Sequence, residues 1–214
     1  SEAVDLGRRR SELLQQHQAQ WVPRGPDGAR VEWKFVRGFP ASLEATASVL
    51  LAFGALESIP TLRFVRVSQV DRPLDAFAAW PVLRRLTSLT LHYLPTERRR
   101  TSLEALLHAP TLEGLRHFGV AYTYFSDDDW GAFDADPLLP RLDALSLPLT
   151  NSTDSSAERL MQRPLRLSRL ELSNNRLGTR GTTATMRRGL SGSPERISIM
   201  TAVHTSTIDS TMCA

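Results

Sequence analysis

Six side chains in the middle of this 214-residue chain are of the types that dominate protein interfaces: Phe64, Arg66, His92, Tyr93, His117 and Tyr122. Aromatic rings and guanidinium groups bury much area at modest entropic cost, so a group of them left exposed reads as a contact surface for a protein partner. Groups suited to covalent or metal chemistry are poorly placed by comparison. Asp127, Asp128 and Asp129 follow Ser126, where acidic side chains already satisfy capping and the dipole of a first helical turn. His92 and His117 bring no third ligand for a metal. The run Arg98–Arg100 reads as a solvated turn, with contact to an acidic partner as the alternative. Asn151–Ser152–Thr153 fits a glycosylation acceptor, but no export signal accompanies it. There is no nucleophile elbow, P-loop, HExxH or GxGxxG, and Cys213 lies in a tail without a catalytic setting. No catalytic residue, metal site or cofactor is expected.

Bulk composition narrows the class further. The chain is 41% hydrophobic and 23% charged, the balance of a folded soluble domain rather than a disordered segment. No apolar run approaches the roughly 18 residues needed to cross a bilayer, so no membrane partner is expected. The stretch SEAVDLGRRRSELLQQ has no apolar signal core. A single cysteine excludes an intrachain disulfide framework and any multi-cysteine zinc site, and a reducing, cytoplasmic setting fits best. The isoelectric point near 9.6 suggests nucleic acid, but the net charge is only +3. Lys34 is the sole lysine among 26 basic residues, a skew that reads as the codon usage of a GC-rich genome. Nucleic-acid binding is not expected.

The elements that would position the aromatic group come from a repeated spacing. Residues 167–177, LSRLELSNNRL, follow L-x-x-L-x-L-x-x-N-x-L, the strand-plus-turn half of a leucine-rich repeat. The same spacing sets Leu62, Val65 and Val67; Leu86, Leu89 and Leu91; Leu115, Phe118 and Val120; and Leu142, Leu145 and Leu147. Pro40 with Leu43 and Ala45, and Pro194 with Ile197 and Ile199, are weaker matches. First positions fall at 40, 62, 86, 115, 142, 167 and 194, a period of 22 to 29 residues. Between them, Thr46–Glu57 carries Val49, Leu50, Phe53 and Leu56 at helical spacing, and Leu74–Trp80 reads as a shorter turn or two behind Pro73. Thr101 with Glu104, Ser126 with Asp129, and Ser155 with Glu158 have the capping-box spacing of helix starts. Helices this regular point to repeats of the ribonuclease-inhibitor style. The expected fold is α/β: a leucine-rich-repeat solenoid, or horseshoe, with a parallel sheet on its concave face and helices on its convex face.

Alternate residues of a strand face opposite ways, so the residues between the leucines point to solvent. One such column is Glu44, Arg66, Thr90, Gly119, Ser146, Glu171 and Ser198; its neighbour is Ser42, Phe64, Ser88, His117, Ala144, Arg169 and Arg196. With His92, Tyr93 and Tyr122 just past their strands, this places the six side chains on one side, and it adds Arg169 and Glu171 from the best-preserved unit. The asparagine slot holds Val70, Leu94, Thr123, Thr150, Asn175 and Ala202. Asn175 is expected to hydrogen-bond turn backbone, Thr to do so in part, and the others not at all. Residues 1–39 would cap the stack, with Leu6, Leu13, Leu14, His17 and Trp21 on one side of a helix and Trp33, Phe35 and Phe39 in a strand-like segment. Residues 40–200 would form about seven repeats, and 201–214 an irregular tail.

At these residues the chain resembles bacterial leucine-rich-repeat proteins that carry an N-terminal repeat-companion region. The matching pieces are RRRSELLQQHQAQW (Arg8–Trp21), VEWKFVRGF (Val31–Phe39) and NNRLGTRG (Asn174–Gly181), within a resemblance spanning roughly residues 8–200. The resemblance implies a horseshoe and protein binding, and carries no catalytic residues or defined ligand. The expected function is therefore a non-enzymatic protein–protein interaction module that holds its partner on the concave face. The alternatives are a repeat fragment of a larger effector or enzyme whose catalytic domain lies outside this chain, and a degenerate, idle copy.

Overall fold

The computed structural model describes residues 22–181 except 135 and 164, together with residues 5, 8, 9, 11–13 and 16. Seven strands form one sheet in sequence order: β1 (Glu32–Val36), β2 (Phe39–Ala45), β3 (Phe64–Val67), β4 (Ser88–His92), β5 (His117–Ala121), β6 (Ala144–Ser146) and β7 (Arg169–Glu171). β1 and β2 are an antiparallel hairpin, and every later pair is parallel. The hairpin turns on Arg37 and Gly38, both at positive φ (51° and 85°), the backbone that a two-residue turn needs to match strand twist. The chain is thus an α/β protein with a mostly parallel sheet.

Register explains the leucine spacing. Leu43, Val65, Leu89, Phe118, Leu145 and Leu170 sit side by side across β2 to β7 and are at most 2% exposed. A second row, Ala45, Val67, Leu91 and Val120, runs parallel to it. Leu62, Leu86, Leu115 and Leu142 add a third row just before their strands, at most 1% exposed. A slip of one residue would turn every one of these side chains to the opposite face, so burial fixes the register. The connecting segments cover this face alone: Leu50, Leu56, Leu74, Phe77, Leu103, Leu106, Trp130 and Leu160 share one core with the strand leucines.

Those connections are less regular than expected. α1 (Ala47–Ala52) ends where Phe53 leaves helical geometry, and the rest of Thr46–Glu57 is a 3₁₀ turn, Gly54–Ser58. α2 (Leu74–Ala78) and α3 (Arg99–Leu107) are each followed by a 3₁₀ turn with proline in its first positions, Pro81–Arg85 and Pro110–Leu112. Among its described residues the fourth connection has no α-helix and holds two 3₁₀ turns, Asp129–Phe133 and Leu139–Arg141. Gly131 faces Arg100 so closely that a Cβ there would lie 2.9 Å from the guanidinium carbon. Of the three capping signals, Ser126 and Asp129 do exchange hydrogen bonds. Thr101 instead donates to Arg98 O inside a helix that already began at Arg99. α4 (Asp154–Met161) is boxed by Thr153 and Ser156, two residues earlier than Ser155 and Glu158.

Polar side chains tie successive units together. Asn175 Oδ1 accepts the N–H groups of Thr150 and Ser152, both at 2.9 Å, while its Nδ2 donates to Leu147 O at 2.7 Å and Leu172 O at 3.1 Å. Thr123 in the same slot accepts only Leu94 N–H, at 3.0 Å. Arginines share this work: Arg85 donates to Leu56 O and Glu57 O, and Arg141 to Glu113 O, so part of the arginine excess has a structural use. Arg99 does not sit in a solvated turn as expected. It is 7% exposed and donates to Pro95 O (3.1 Å), Tyr124 O (2.6 Å) and Asp129 Oδ2 (3.0 Å).

At the N-terminal end, Phe35 is buried and Trp33 packs half-buried on the core, but Phe39 is 62% exposed beside Val36 at the hairpin tip. Leu13 is helical yet 45% exposed, so it does not supply the packing expected of it. Leu6, Leu14, His17 and Trp21, the unit from 194 and the tail 201–214 lie outside the described residues. Removing one partner of a buried pair strands the other's charge, at about 3–5 kcal/mol. Asp129→Ala is therefore expected to lower the unfolding free energy from urea titration by an amount in that range, whereas Asp128→Ala, at a carboxylate 71% exposed, changes it little.

Candidate functional site

The face of the sheet away from the core carries the two solvent columns in register. Ser42, Phe64, Ser88, His117, Ala144 and Arg169 align across β2 to β7, and Glu44, Arg66, Thr90, Gly119, Ser146 and Glu171 form the next row. Phe64 (38%), Arg66, His117 and Arg169 are exposed, and Glu171 is half-buried. The floor between β4 and β6 is made of small residues. Gly119 keeps it flat, because a Cβ there would stand 3.3 Å from both Ser146 O and the Thr90 methyl.

The tightest group lies at the C-terminal ends of β4 and β5. Tyr93 and Tyr122 stack with ring centroids 5.2 Å apart and planes 20° off parallel. His92 stands edge-on to Tyr122 at 5.3 Å and to Tyr93 at 6.3 Å. Both tyrosines remain exposed, at 53% and 47%. Burial pushes the His92 imidazole below its ordinary value, Arg66 adds to the shift and Glu44 opposes it, so the ring is mainly neutral at pH 7. Arg66 itself leans on Glu44 at 3.4 Å, a partner not foreseen for it.

Of the eight side chains read from the spacing, ring contacts join His92, Tyr93 and Tyr122, and Arg66 acts on His92 through its charge. Phe64 and His117 share the face but sit at the N-terminal ends of their strands. His92 aligns with Ala121, four residues along β5 from His117, a rise of about 13 Å, so the two histidines are too far apart to share a metal. Arg169 and Glu171 are on β7, four strand spacings from β3 or about 19 Å, and form a separate group with Ser146, whose hydroxyl donates to Glu171 at 2.8 Å. Tyr124, 74% exposed, was missed. The alternation in AYTYF, with Ala121, Thr123 and Phe125 buried, places Tyr124 on the side of Tyr122 and could have shown it.

The two tyrosines also hold an unusual backbone. Tyr93, Tyr122, Leu149 and Asn174 each follow the first leucine of their unit by seven residues, and all have φ between 54° and 56°. Asparagine visits this left-handed region readily, whereas a bulky residue does so at a cost of about 1–2 kcal/mol. Two positions whose geometry suits Asn or Gly therefore carry large exposed rings.

Other candidate chemistry is committed elsewhere. Asp128 accepts from Arg100 at 2.5 Å and Asp129 from Arg99, and no group of three metal-ligating residues occurs among the described residues. Ser152 is fully buried. A groove of about 530 Å³ between the turns after β3 and β4 is lined by charges of both signs, of which Asp71 is held by Ser48 and Arg99 by Asp129. No protein-family model matches the chain, and no curated protein matches it either.

Ring stacking is worth about 0.5–1.5 kcal/mol, close to the backbone cost of one left-handed tyrosine. Tyr93→Asn or Tyr122→Asn alone is expected to leave stability within about 1 kcal/mol of the parent. Making both loses the stack once and relieves two positions, so the pair should gain about 1 kcal/mol in urea unfolding. A loss in the double variant would show instead that the rings hold the fold.

Proposed function

We propose that the chain is a leucine-rich-repeat solenoid, concave on the open sheet face, and that it acts as a non-enzymatic module holding a partner protein there. The observation that carries the reading is the stacked Tyr93–Tyr122 pair. It is half exposed, sits on backbone that disfavours it, and contributes nothing to the core. Strain held by large surface rings is common where a surface is used for binding. The recurrence of the units every 22 to 29 residues and the buried leucine rows support the solenoid, since one unit cannot bury its apolar face alone. The pieces VEWKFVRGF and NNRLGTRG support kinship with repeat-companion proteins. The lone cysteine and the lack, among the described residues, of a helix long and apolar enough to cross a membrane support a cytoplasmic setting.

Arg66, His92 and Tyr124 would extend the contact around the tyrosines, with Phe64 and His117 at its far edge. Aromatic and arginine side chains at the centre of an interface typically lose 2 kcal/mol or more on truncation, roughly thirtyfold in affinity each. Tyr93→Ala with Tyr122→Ala is therefore expected to abolish partner capture while the thermal transition stays in place. Ala105→Gln, on the exposed side of α3, is expected to leave capture unchanged. Equal capture by the tyrosine variant and the parent would remove this surface from consideration.

A further inference from the structure

The N-terminal ends of the strands form an edge of their own, at the far end of the sheet from Tyr93 and Tyr122. A backbone ladder runs along it: Arg63 N–H donates to Ala41 O, Thr87 N–H to Arg63 O, Arg116 N–H to Thr87 O and Asp143 N–H to Arg116 O. Arg63 and Arg116 are therefore two strand spacings apart, about 10 Å. Arginine side chains are tied to carbonyls along this edge. Arg63 donates to Pro60 O at 2.6 Å and Leu62 O at 2.9 Å, and Arg85 to Leu56 O and, at 2.9 Å, to Glu57 O. Arg116 donates to Arg141 O at 3.1 Å, and Arg141 to Glu113 O. Arg37 and Arg84 add two exposed guanidinium groups that hold no carbonyl.

This charge is not neutralised locally. Among the described residues, none of Arg37, Arg63, Arg84, Arg85, Arg116 and Arg141 forms an ion pair. Three acids share the edge, Glu57, Glu113 and Asp143, and Glu113 lines one hollow with Arg84. Burial, and after it the Arg63 charge, lowers the Arg85 guanidinium from its ordinary value, with Glu57 opposing. Past the C-terminal ends of the strands the balance reverses: acids at 71, 75, 97, 127, 128 and 129 stand against Arg72 and Arg98–Arg100. The β1–β2 hairpin turns at the arginine edge. Its tip exposes Phe39 (62%) and Val36 (54%) on either side of Arg37 and Gly38. Among the described residues, nothing lies within 4 Å of where a Cβ on Gly38 would stand, so the tip projects clear of the chain.

We propose that this edge docks peripherally on an anionic lipid surface, with the arginine row against headgroup phosphates and the Val36–Phe39 tip in the acyl boundary. A guanidinium matches phosphate geometry, and basic side chains add up near an anionic bilayer. A projecting apolar tip finds cover in a bilayer without needing a matching pocket, whereas a nucleic-acid backbone offers it no apolar phase. The acidic edge is repelled from the same surface and faces away. Contact of this kind needs no helix that crosses the membrane. It leaves the concave face open and does not rest on the proposed protein partner.

Flotation of the full chain with vesicles of phosphatidylcholine and phosphatidylserine, against phosphatidylcholine alone, tests this. The parent should float with the anionic vesicles only. Raising salt from about 0.1 M to about 1 M should weaken capture, since the screening length falls from about 10 Å to about 3 Å. Arg37→Glu with Arg84→Glu should lower partitioning at least about thirtyfold. Phe39→Ser should lower it about tenfold. Arg72→Glu with Arg98→Glu makes the same change in net charge on the opposite edge and should keep capture within about threefold of the parent. No capture by anionic vesicles, equal capture by neutral ones, capture unaffected by Phe39→Ser, or an equal loss in the Arg72 and Arg98 variant would overturn the proposal. Binding of a DNA duplex by a parent that ignores the vesicles would also overturn it and assign the edge to nucleic acid.

Discussion

Everything in this chain hangs on the parallel backbone ladder that runs from β2 to β7. A strand of three to seven residues has too few hydrogen bonds to stand alone, so each is held by the one before and the one after. The ladder has a single register because three rows of apolar side chains must all reach one face. Once that register is set, the opposite face is set too, and the side chains on it are left free of packing duty. The aromatic surface is therefore a by-product of burial, and its composition is what the chain could vary without unfolding.

Between units, the turn backbone beyond each strand needs its own partners, and the chain meets that need unevenly. Asn175 meets two N–H and three C=O groups with one side chain, whereas Thr123 meets one N–H and one C=O. Where the slot holds Val70 or Leu94, arginines and the Arg99–Asp129 pair carry links between neighbouring units instead. These links use long side chains folded over carbonyls, which lysine could not match with its compact ammonium. An arginine-rich composition is thus partly an architectural property.

The strands, their order and both solvent columns were legible in the sequence, because a period-two alternation anchored by leucines maps directly onto a sheet. The connections were legible only in part. Helices were present where Thr101 and Ser155 signalled them. Helical spacing in Thr46–Glu57 and the capping signal at Ser126 also suggested regular helices, but there the segment is in part or wholly a 3₁₀ turn. Short segments bound to a fixed strand spacing settle into such turns where proline or glycine interrupts them. Arg99 was also illegible: nothing in PTERRR tells a buried arginine from a solvated one, since Asp129 lies 30 residues away. Within the site, columns told which residues share a face, but not that Glu171 is engaged by Ser146 or Arg66 by Glu44. Nor did they show that Tyr93 and Tyr122 stack on left-handed backbone.

The central claim is that the rings at the ends of β4 and β5 meet a partner protein. The most direct measurement is site-specific photo-cross-linking, with a benzophenone amino acid at position 122 or, as a control on the opposite side, at position 105. The account predicts a discrete covalent adduct of one protein from position 122 and none from 105. Identical adducts from both positions, or none from 122 while 105 reacts, would contradict it.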